Sequence, residues 1–120
     1  MAGVETKNFD SPDESRTPDK TKVEVLHFGG ASVGRTTFQP GWKWSECIKP
    51  VAGTDSCQAH HVGTVVSGRL RIVHEDGSEG EIGPGDAYVI EPGHDASVLG
   101  DEPFIAFEFD AKTIAEYAKK

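Results

Sequence analysis

Apolar and polar positions fall into short runs separated by Gly- and Pro-containing breaks. Residues 23–28 read as a strand ended by Gly29-Gly30, and residues 35–39 as another closed by Pro40-Gly41. Trp42, Trp44, Glu46 and Ile48 then share one face of a period-two stretch, with Lys43, Ser45 and Cys47 on the other. Residues 59–66 lead through Ser67-Gly68 into residues 69–74, where Leu70, Ile72 and His74 oppose Arg69, Arg71 and Val73. Asp76-Gly77 marks a hairpin turn. Three further runs, 87–91, 96–99 and 104–109, lie between Gly83-Pro84-Gly85-Asp86, Pro92-Gly93 and Gly100-Asp101-Glu102-Pro103. Short strands with a turn about every ten residues predict an antiparallel sandwich or barrel. Only the end reads as helix: Asp110 is an N-cap, and Ile114, Tyr117 and Ala118 share one side of the segment after it. The fold class is all-β with a short C-terminal helix.

The 120 residues allow one domain. Residues 1–22 hold only Met1, Ala2, Val4 and Phe9 as apolar positions and are expected to form a mobile tail. The alternative is an arm lying on a partner subunit, anchored by Val4 and Phe9. The barrel is then expected over residues 23–110 and the helix over 111–120.

Charge narrows the partners. The net charge is −8, and residues 72–111 contain eleven carboxylates and no Lys or Arg. Such a surface repels phosphate backbones and anionic lipid, which argues against nucleic acid and membrane. No run approaches the ~18 apolar residues of a membrane span. The N-terminus lacks a basic flank and an apolar run, and two cysteines make no disulfide framework, so a cytoplasmic protein with free thiols is expected.

The chemistry concentrates between Asp55 and Gly68 and around His94. Asp55, Cys57, His60, His61 and His94 are candidate ligands, because imidazole and thiolate bind zinc and divalent iron, copper or nickel well. In an extended chain Cys57 and His61 match in parity, and His60 turns away. From these residues alone, a strand end with ordinary histidine hydrogen bonds stands beside the metal reading.

At these positions the chain resembles the cupin superfamily, small jelly-roll barrels of double-stranded β-helix type, over roughly residues 38–109. The cupin first motif has two His, then a Glu, then a Gly seven positions on. His61, seven before Gly68, stands in the place of the Glu, with Cys57 and Asp55 in the places of the two His. Gly85-Asp86 and His94 resemble the second motif, and Val98 occupies the place of its usual Asn. Asp–Cys–His–His departs from the common His–His–Glu–His set at three of four positions. The resemblance implies a metal centre of Cys57, His61 and His94, with Asp55 or His60 as a fourth ligand. A sulfur ligand favours zinc, iron or copper over magnesium or calcium.

Around that centre, Trp44 and Tyr88 are candidate ligand contacts, and Tyr88 and Glu46 candidate catalytic groups. The resemblance implies a barrel that binds, and in the enzymatic case transforms, a small molecule, with oxygenase, isomerase and cyclase chemistries all represented. The rival is a noncatalytic binding or sensing barrel without metal. A homodimer is expected, because a small barrel has sheet edges to cover, with residues 23–28 and the Trp42/Trp44 stretch as pairing surfaces. Asp86 is expected to close its own turn, and His27 and His74 to be structural.

Overall fold

The computed structural model describes residues 3–119; Met1, Ala2 and Lys120, at the ends of the expected tail and helix, lie outside the described residues. Among the described residues, nine strands form two antiparallel sheets. The larger runs in the order β1 (Glu14–Arg16), β2 (Thr21–His27), β3 (Ser32–Phe38), β9 (Phe104–Glu108), β4 (His61–Ser67), β7 (Ala87–Ile90). The smaller is β6 (Glu79–Ile82), β5 (Arg69–His74), β8 (His94–Leu99). The inward faces enclose a core that includes Val25, Trp42, Trp44, Ile48, Phe104 and Ala106. Phe38 stacks on Trp42 with centroids 3.8 Å apart, and the Trp42 indole N–H donates to Thr21 Oγ1 at 2.9 Å, so the burial leaves no orphan donor.

Turn chemistry closes the strands as expected. Asp86 accepts from the Gly83 N–H at 2.8 Å. Gly68, at φ +79°, turns β4 into β5 where a Cβ would lie 2.4 Å from the Pro103 carbonyl oxygen, so neither the angle nor the space admits a side chain. No described helix is long and apolar enough to cross a membrane.

Two expectations are corrected. The first is the mobile tail. Residues 14–16 pair with β2, and β2 itself begins at Thr21. Phe9 stacks on Phe107 of its own barrel at 5.7 Å, whereas Val4 is exposed. A count of apolar residues misses this ordering, because main-chain pairing and the burial of Arg16 supply it. The second is the period-two stretch. Lys43 is extended and bridges to Ser97, and the Trp42 carbonyl accepts from Val98 N–H at 3.0 Å, but the chain then turns into α1 (Trp44–Cys47) and α2 (Lys49–Ala52). From Trp44 onward a period of 2 selects Glu46 and Ile48, whereas a period of 3.6 selects Cys47 and Ile48. Cys47 and Ile48 follow Trp44 into the core at helical spacing, and Glu46 faces solvent.

The dimer surfaces named from sequence are also not free. β2 is paired on both sides, and both Trp are buried.

A candidate metal centre of one cysteine and two histidines

Cys57, His61 and His94 each present one ligand atom within 4.8 Å of the other two, and all three are buried. The backbone brings them together. Cys57 lies beyond α2, which ends at Gly53 in the left-handed region, φ +74°. Its N–H donates to the His94 carbonyl at 2.7 Å, and Gly93 N–H returns a bond to the Cys57 carbonyl at 2.7 Å. Beside it, Ser56 Oγ donates to Glu75 Oε1 at 2.6 Å. His61 opens β4 opposite Ile90, and His94 opens β8 opposite His74.

The histidine rings are oriented by acceptors. His61 Nδ1 is 2.7 Å from Glu108 Oε1, and His94 Nδ1 is 2.8 Å from the Glu91 carbonyl oxygen. Carbonyls and ionised carboxylates only accept, so both Nδ1 atoms carry the proton. The Nε2 atoms are left as the lone-pair donors. His61 Nε2 lies 3.7 Å from Cys57 Sγ.

Electrostatics follow from that packing. Burial opposes a Cys57 thiolate, but hydrogen bonds from His61 and His94 outweigh it and pull the thiol down to about 6. Burial likewise opposes charge on His61, yet its bonds to Cys57 and Glu108 raise it to about 10. Without a metal the pair is thiolate and imidazolium, and His61 Nε2 offers its lone pair only once that proton has left. Tyr88 donates its hydroxyl to Glu108 Oε2, and burial followed by the Glu108 charge pushes its ionisation far up. It remains a neutral donor.

A tetrahedral zinc ion sets sulfur and nitrogen ligands about 3.6 Å apart. The 3.7 Å between Cys57 and His61 matches that spacing, and the donor set, one thiolate and two Nε2 atoms with oriented rings, fits a borderline-soft ion.

Neither candidate fourth ligand joins. Asp55 is fully exposed beside Lys49, and His60 turns outward to bond Asp110 Oδ2 through Nδ1 at 2.9 Å, as strand parity requires. Glu46 is exposed and is not part of the site. Trp44 and Tyr88 do line the internal cavity beside His61 and His94. His74 stands next to His94 with ring centroids 5.5 Å apart, its Nε2 on the Glu91 carbonyl, whereas His27 is exposed.

Two residues of the site were not found from sequence. Glu108 sat unnoticed in a strand, although Phe104, Ala106 and Glu108 share the inward parity that places a carboxylate in the core. Tyr117 was assigned only to the packed side of a helix, yet its ring meets that of His61 edge-on at 5.2 Å.

No family model matches the chain, and no curated protein matches its sequence. Solved structures do. Ectoine synthase from P. lautus aligns with a TM-score of 0.65 at 13% identity, over 89% of this chain and 78% of that one. KdgF from Halomonas sp. aligns at 0.58 and 18% identity, over 90% and 92% of the two chains. An uncharacterized conserved protein with a double-stranded beta-helix domain from Klebsiella pneumoniae aligns at 0.59 and 20% identity, over 89% and 84%. The likeness is one of fold.

Proposed function

We infer that this small cupin-fold barrel holds a divalent transition metal on Cys57, His61 and His94 and binds a small molecule at the coordination position they leave open. One observation carries the reading: both histidines spend Nδ1 on acceptors, so two Nε2 lone pairs and a thiolate converge. Three protein ligands with no fourth in reach among the described residues is the pattern of a reactive site, since purely structural zinc sites are closed by four.

Each residue then has a task. Cys57 supplies negative charge, and the sulfur selects zinc, iron or copper. Glu108 holds the proton at His61 Nδ1 and keeps the ring in one tautomer. Tyr88 donates to the other oxygen of Glu108 and so neutralises part of a buried charge. Phe38, Leu70, Ile90 and Phe104 line the internal cavity and keep bulk water out of it. When bound, the metal supplies Lewis-acid polarisation of an oxygen or nitrogen on the small molecule.

Metal analysis of protein purified without added metal tests this. The expected result is one zinc, iron or copper per chain, abolished in Cys57→Ala and His61→Ala. Protein that takes up none of the three when incubated with each would end the reading.

A further inference from the structure

The internal cavity has a volume of about 30 Å³, room for about one water and not for an organic molecule. A second cavity of about 520 Å³ lies outside it, between α2, the Cys57 loop and the C-terminal helix α3 (Ala111–Glu116). Cys57 lines the outer cavity, whereas His61 and His94 line the inner one. Two residues line both, Trp44 and Tyr117, and together they form the partition. Trp44 is locked in the core at 2% exposure. Tyr117 is the movable half, because it follows a six-residue helix, far too short to be stable on its own.

The two ends of α3 are held differently. At the start, Asp110 accepts from Thr113 N–H at 2.9 Å and pairs with His60 at 2.9 Å, and the Thr113 hydroxyl donates to the His60 carbonyl. That end is anchored at His60, one residue before β4. At the finish, the buried guanidinium of Arg16 donates to the Tyr117 carbonyl at 2.8 Å and the Ala115 carbonyl at 3.3 Å. These are helix-end carbonyls, which a cation satisfies well. Glu14 braces the guanidinium from β1 at 2.9 Å.

Resting on the metal reading above, we propose that the outer cavity is the vestibule through which the small molecule reaches the centre, that α3 is its hinged wall, and that Tyr117 is the gate and Arg16 the latch. The vestibule walls are mixed: Ile48, Val51, Ala59 and Pro92 face His60, Lys112 and Glu116. The ligand class they take is a compact amphipathic molecule, with an apolar body against the aliphatic side chains and one head group able to reach the metal.

Cys57 lines the vestibule yet is only 2% exposed, so in metal-free protein its alkylation reads the swing of α3 and Tyr117 away from it. In metal-free protein on a Cys47→Ser background, the rate of Cys57 alkylation by iodoacetamide reads the open fraction. Arg16→Gln and Tyr117→Ala should each raise that rate at least tenfold, well below the melting temperature. Arg71→Gln, which breaks an ion pair with Glu79 on the smaller sheet, should leave it unchanged. Equal rates in the parent and in the Arg16 and Tyr117 variants overturn the gate, as does an equal rise in Arg71→Gln. The ligand class is read by protection: cyclohexanol should slow alkylation, and inositol, the same ring with a hydroxyl on every carbon, should not. Equal protection by the two overturns the class. Absence of bound metal in the earlier assay ends the metal reading and leaves these rates interpretable.

Discussion

His61 Nδ1 and Glu108 Oε1 lie 2.7 Å apart across two adjacent strands, β4 and β9, and neither group is exposed to water. A carboxylate with its second oxygen already bonded to Tyr88 has one use for the first, to hold a proton on the histidine. Replacing Glu108 by Gln keeps the shape and weakens the acceptor. Metal affinity measured by chelator competition should fall about 10- to 100-fold, with the fold retained by circular dichroism. Unchanged affinity would remove Glu108 from the site.

The pH dependence of metal binding follows from the two shifted groups. His61 is raised to about 10, so across the neutral range its proton competes with metal and must leave on loading. Cys57 is lowered to about 6, so above that pH it costs no proton, and below it a second proton competes. Affinity should therefore rise about tenfold per pH unit between pH 6 and 10, and more steeply below 6. A pH-independent affinity from 5.5 to 8.5 contradicts the assignment.

His60 and His61 are neighbours with opposite tasks. His61→Ala should lose most of the metal. His60→Ala should keep it and loosen α3, because His60 pairs with the helix cap Asp110. Asp110→Ala should cost about 1 kcal/mol in urea unfolding. The Thr113 N–H, and then His60, hold the Asp110 carboxyl below its ordinary value. That contribution is complete above the ordinary aspartate range and is lost only as pH falls beneath it. Equal metal loss from the His60 and His61 variants would overturn the division of labour.

Gly68→Ala should destabilise the fold by about 2 kcal/mol, since the new Cβ meets the Pro103 carbonyl at 2.4 Å in a left-handed backbone. Denaturant titration reads this directly, and a change under a few tenths would mean that the β4–β5 turn relaxes freely.

A homodimer remains the expected assembly, on a different face from the one read in sequence. Val89 is 62% exposed on the edge strand β7, its partner across the ladder is Val62, and Phe109, 50% exposed, donates its N–H to the Val62 carbonyl. An apolar patch at a sheet edge invites a second copy. Sedimentation equilibrium should give twice the chain mass, and Val89→Glu should give the monomer. A monomer mass for the parent chain at micromolar concentration excludes the dimer.

Most strands were legible because turns and alternation are local properties, and so was the Cys57, His61 and His94 grouping, whose spacings resemble a known motif. The positions that were not legible depend on partners distant in the chain. Arg16 is buried only because carbonyls at residues 115 and 117 meet it. Glu108 matters only because β9 lies beside β4. The run from Trp42 to Ile48 was too short for its period to be decided without the core it packs on.

The reciprocal main-chain bonds between Cys57 and residues 93–94 tie a loop to a strand from which β4, β5, β6 and β7 separate it along the chain. The entropy of gathering the three donors is thereby lost once, during folding, and not again when an ion arrives. On the proposed metal reading, occupancy would then be a matter of supply and exchange: a barrel held by its own main chain would stay assembled when empty, unlike a zinc finger, and one ion could replace another without the polypeptide unravelling.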